Sequence, residues 1–110
     1  MKLPQGERAV VDLANLRNYC LNPEHLRGRH KARVFAARLG LDSGDASRLR
    51  EALLQAACAE EVVEGHADEH GRRYILDFGM KTLRGGGTIR SIWLVPGPEH
   101  PPRLVTCYVR

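Results

Sequence analysis

RYILDFGMKTLRGGGTIRSIWLV, residues 73–95, repeats its apolar side chains every second position. Tyr74, Leu76, Phe78 and Met80 fall on one side of an extended chain, with Ile75, Asp77 and Lys81 on the other. RGGG interrupts the pattern and TIRSIWLV resumes it, which predicts two antiparallel strands joined by a hairpin. No strand–loop–helix context follows RGGG, so it reads as a turn and not as a phosphate-binding loop. Downstream, the prolines of PGPEHPP exclude strand pairing, and RLVTCYV at 103–109 is a last strand. Upstream, EVVEG at 61–65 is a short strand and ADEHG a turn.

Before Glu60 the period is helical. LDSGDAS offers Asp42 or Ser43 as a cap, and Leu49, Leu53 and Ala56 or Ala57 then form a core stripe that fades by about Ala59. In LNPEHLRGRHKARVFAARLG, residues 21–40, Asn22 can cap, Pro23 suits the first turn and Glu24 complements the helix dipole. That predicts a helix from there to Leu39, closed by a left-handed Gly40. Lys31, Phe35 and Leu39 share one row of it, and Leu26, His30 and Val34 the next. AVVDL at 9–13 reads as either an edge strand or the entry to a helical turn. The expectation is a single α+β domain over 1–110, with two N-terminal helices packed on a three- to four-stranded antiparallel meander.

The charge is uneven in meaning. The chain of 110 residues carries a formal net charge of +4, which favours an anionic partner. The helical stretch concentrates it: His25, Arg27, Arg29, His30, Lys31 and Arg33 suit phosphate contact, with His30 able to move a proton near neutral pH. The plain alternative is a solvated helix face. Cys20, Cys58 and Cys107 form no CxxC pair, which argues against a structural zinc site or a disulfide scaffold and suits a reducing cytoplasm. No run of apolar residues is long enough to span a membrane. HADEH at 66–70 spans a turn and lacks the order of a zinc-protease motif, so no metal or other cofactor is expected. Cys107 sits on an apolar face with no base placed beside it, a poor setting for a nucleophile.

On the last strand, Val105, Cys107 and Val109 read as the core face, which leaves Thr106 and Tyr108 outward with Leu104. From TIRSIWLV, either Arg90 with Thr88 or Ser91 with Trp93 would join them; spacing leaves both open. Such a face could bind a phosphate and steady the charge building on it.

LNPEHLRGRHKARVF, GRRYILDF and TIRSIWLV…PRLVTCYV resemble a family of small bacterial domains of unknown function, over roughly Glu7 to Val109. The order of elements more distantly resembles the barnase–EndoU–colicin–RelE superfamily of ribonuclease toxins. That resemblance implies metal-free RNA cleavage by attack of the RNA's own 2′-hydroxyl, in a cytoplasmic toxin held in check by an antitoxin or immunity protein. It places His30, Lys31, Arg90, Thr106 and Tyr108 as the catalytic set. His25, Arg27, Arg29, Arg33, Ser91 and Trp93 would then contact RNA. The competing expectations are a non-catalytic basic interaction or nucleic-acid-binding module, and an assembly protein pairing through AVVDL.

Overall fold

The computed structural model describes residues 1–110. Its sheet is a meander of order β1-β2-β3-β4, from β1 (Val63–Asp68) through β2 (Gly71–Thr82) and β3 (Gly85–Val95) to β4 (Arg103–Val109). All neighbours are antiparallel. The alternation read from residues 73–95 is what the strands obey. Tyr74, Leu76, Phe78, Ile89, Ser91 and Trp93 are buried on one face, while Ile75, Asp77, Arg90 and Ile92 stay half-exposed on the other. Helices cover only the buried face, giving a two-layer α+β domain.

Three helices precede the sheet. The short α1 (Leu13–Asn15) is capped by Asp12 and runs on into a wide π-type turn, Leu16–Cys20. Next comes α2 (Arg29–Leu39), followed by α3 (Ala46–Ala59). Asp42 opens the latter through a capping box with Asp45, ahead of a 3-10 turn at Ser43–Asp45. Phe35, Leu39, Leu49, Leu53 and Trp93 meet in one core of 22 buried residues. Each such large side chain contributes on the order of 2–3 kcal/mol by leaving water. Gly40 closes α2 at φ 66°, as its position predicted, and Thr82 Oγ1 donates to the freed Leu39 carbonyl at 2.7 Å.

Two expectations need correction. The helix starts at Arg29, not near Pro23. Asn22 Oδ1 accepts from the Glu24 amide at 2.9 Å, forming a local Asx turn in place of a helix cap. The backbone then folds so tightly against the Tyr19 carbonyl that Gly28 has no room for a Cβ. His25 Nδ1 accepts from the amides of Arg27 and Gly28, both at 3.1 Å, and so supplies the polar partner at the helix entrance. Leu26 is left 81% exposed.

The second correction lies on β4. Its register to β3 shifts between Ile92 and Trp93, which makes Val105 a bulge. Leu104 therefore turns into the core and Val105 out of it, while Cys107 and Val109 remain buried as expected. AVVDL is neither of its two simple readings in full. Val10 alone makes a parallel bridge to Arg103, and Leu13 already begins α1.

A cationic helix against the edge of the sheet

The sequence of β4 brings Thr106 and Tyr108 to the rim of the sheet, where α2 passes. Lys31 Nζ donates to Thr106 Oγ1 at 3.3 Å and to Tyr19 Oη at 3.1 Å. It also lies 5.1 Å from the centre of the Tyr19 ring and 5.6 Å from that of Tyr108. An ammonium among two rings and two hydroxyls is fixed in place by groups that carry no opposing charge. His30, Lys31, Val34, Tyr108 and Val109 line a shallow cleft of about 230 Å³ beside it. Four of the five residues expected to act together, His30, Lys31, Thr106 and Tyr108, are thus at one place. Tyr19 was not anticipated; NLRNYC has no periodicity that points its ring anywhere. The Tyr19 ring packs edge-on against His25, centroids 4.8 Å apart.

Around the cleft the charge is of one sign. Arg27, Arg29, His30 and Arg33 are exposed, and none forms an ion pair within 4 Å. The segment from His25 to Leu41 contains no acidic residue. His25 is the exception to free availability, because its Nδ1 is engaged by backbone amides.

Arg90 stands on the helix-free face, directly across from Tyr108 in the β3–β4 register. Its guanidinium grips Asp77 with two bonds of 2.9 Å, and Arg110 adds a third at 2.9 Å. Those guanidinium hydrogen bonds, Arg90's above all, hold the Asp77 carboxyl below its usual range, and Asp77 in turn raises Arg90. Arg90 therefore stands beside Tyr108 with its charge already answered by Asp77.

Ser91 and Trp93 are corrections. Both are fully buried. Trp93 Nε1 donates to Ser91 Oγ at 2.9 Å, and Ser91 Oγ donates to the Leu76 carbonyl at 2.8 Å. The indole needs a partner for its N–H inside the core and the serine supplies one. No RNA can reach them. HADEH is divided between the end of β1 and the following turn, where His66 approaches Asp68 and His70 approaches Glu69, both at 3.6 Å.

Behind Thr106 lie two buried thiols. Cys20 Sγ is 4.0 Å from Thr106 Oγ1 and 3.9 Å from Asn15 Oδ1. The neighbouring Cys107 thiol donates to Cys20 and lowers it to about 7 despite burial, with help from Thr106 and Lys31. The same contact and burial push Cys107 up.

A family model described as "Domain of unknown function (DUF6883)" matches residues 2–110. Among curated proteins nothing matches. Among solved structures, one chain from a contact-dependent growth inhibition toxin–immunity protein complex of Klebsiella pneumoniae 342 has the same fold. Its TM-score is 0.72 at 20% identity, covering 92% of this chain and 99% of that one.

Proposed function

Because the chain belongs to the DUF6883 family, whose description assigns no activity, we propose from the site itself that it is a toxin-type, metal-independent endoribonuclease. The observation that carries this is Lys31, clamped by Tyr19 and Thr106 at the mouth of a cleft shared with His30 and Tyr108, on a helix that carries no acidic residue. The fold is also found in one chain of a toxin–immunity complex, and charge favours the toxin side of such a pair. A protein that neutralises a basic nuclease must present acid, whereas this one presents unanswered arginines.

In this reading an RNA phosphate lies over the cleft. Arg27, Arg29 and Arg33 hold flanking phosphates. Lys31 and the Thr106 hydroxyl steady the non-bridging oxygens as charge builds on them. His30 takes the proton of the 2′-hydroxyl or returns one to the leaving 5′-oxygen, with Tyr108 beside it for the complementary transfer. The nucleophile belongs to the RNA, so the protein needs only to bind, orient and exchange protons. A small acidic immunity protein covering α2 would block all of these groups together.

Inducible expression in bacteria, following growth and total RNA, tests the reading. The wild type is expected to stop growth and degrade RNA, while His30→Ala and Lys31→Ala accumulate as folded, harmless proteins. Undiminished cleavage by both variants would overturn it. Cleavage absent in every form, with salt-sensitive RNA binding retained, would identify the basic binding module instead.

A further inference from the structure

Val34 is the one large apolar side chain that α2 leaves exposed, at 37%, and it follows Arg33 directly in a cationic stretch. Singly, such a valine needs no explanation. This one shares a helix face with His30 and Lys31, four and three residues before it. All three line the cleft of about 230 Å³ together with Tyr108 and Val109. Two valines and a tyrosine ring thus make an apolar hollow in the middle of an arginine-rich surface. The charge at its rim is Lys31, whose Nζ stays with Tyr19 Oη and Thr106 Oγ1. A hydrated phosphate gains nothing by exchanging water for methyl groups, so its place is at that ammonium and not inside the hollow.

We infer that the hollow is a nucleobase subsite: one unpaired base next to the phosphate held at Lys31 seats against Val34 and Tyr108, and Val34 sets that preference. The inference rests on the RNA reading of the site and adds the class of substrate, single-stranded or looped-out RNA. A nucleotide joins an anionic phosphate to a flat apolar base, and the site pairs an ammonium with an apolar hollow in the same way. About 230 Å³ suits one heterocycle and falls below the roughly 300 Å³ at which pockets for drug-sized ligands begin. Inside a duplex both faces of a base are covered by its neighbours, so a paired base cannot enter. Valine methyls and an aromatic ring carry no donor–acceptor code, so the subsite selects an exposed base and not one base type. Arginines alone would favour the duplex, which has the denser row of phosphates; the hollow favours the single strand.

The test is binding of the full chain, at one salt concentration, to three strands that hold no 2′-hydroxyl and so cannot be cleaved. They are an oligothymidylate of about 12 nucleotides, its duplex with oligoadenylate, and a deoxyribose-phosphate strand of the same length without bases. The wild type is expected to bind the oligothymidylate roughly 5- to 100-fold more tightly than the baseless strand, and more tightly than the duplex. Val34→Phe fills the hollow from an exposed position, so its urea unfolding midpoint should stay near that of the wild type. It should hold the baseless strand as before and lose the extra affinity for the oligothymidylate. Val63→Ala, at an equally solvent-facing valine on β1, should behave as the wild type does.

Equal affinity of the wild type for the strands with and without bases, a preference for the duplex, or undiminished discrimination by folded Val34→Phe would each overturn the subsite while leaving a phosphate-binding surface in place. Failure to bind any of the three strands would overturn the RNA reading itself, and the subsite with it.

Discussion

The cations of the sheet and those of α2 are chemically alike and differently employed. On and just beyond the strands four arginines have an acid: Arg72 meets Glu64 at 3.7 Å, Arg73 meets Asp68 at 3.1 Å, and Arg90 and Arg110 share Asp77 at 2.9 Å, while Lys81 and Arg103 are unpaired. Along α2, Arg29, Arg33 and Arg38 have none, and Lys31 is held by hydroxyls and rings. Paired charges belong to the folding of the molecule. Unpaired charges of one sign on a single face cost stability through mutual repulsion and make sense when something anionic arrives. The contrast teaches that total charge is a poor guide to function; what matters is how much of it the protein leaves unanswered.

The most severe way to break the comparison is from inside the sheet. Trp93→Ala should cost about 4 kcal/mol of stability by emptying the core and orphaning Ser91, seen in urea unfolding. Any loss of RNA binding should track the unfolded fraction alone, because Trp93 is not part of the surface. Lys31→Ala should do the reverse. It should lower kcat for RNA cleavage by roughly 100- to 1000-fold with an unfolding midpoint close to that of the wild type.

Salt sharpens the distinction further. With four or five phosphate contacts on single-stranded RNA, raising salt about fourfold should weaken binding roughly 50- to 130-fold. Arg33→Ala should make the slope of log K against log salt shallower by about 0.7, and Arg73→Ala should leave it unchanged. The smallest effect belongs to the shared acid of the sheet. Asp77→Asn should cost about 1 kcal/mol at neutral pH. Asp77 is more acidic folded than unfolded, so its contribution is present above the ordinary carboxylate pKa and is lost as pH falls through the folded value. The stabilities of wild type and variant should therefore converge in acid.

The sheet was readable because strand alternation has a period that a single residue obeys or breaks. The buried set Tyr74, Leu76, Phe78 and the partner set Ile89, Ser91, Trp93 fall out of it once pairing is known. Pairing was the missing fact: Arg90 and Ser91 stood as equals until the register put Ser91 opposite Leu76 and Cys107. The bulge at Val105 was invisible for the same reason, since an extra residue shows only against its partner strand. The false helix start at Asn22 came from local chemistry that serves a turn equally well. The contacts of Tyr19 with Lys31 and of Cys20 with Thr106 depend on where an irregular turn meets the far end of the chain, and no short-range pattern encodes that.

The surplus residue in β4 has one more effect. It frees the Val105 carbonyl, which accepts from Asn15 Nδ2 at 3.1 Å, while Val10 and Leu104 bond just below it. One lateral border of the sheet is thereby stoppered by the molecule's own leading segment. The opposite border at β1 has Glu64, His66 and Asp68 along it, charges of the kind that discourage a partner strand from extending the sheet there.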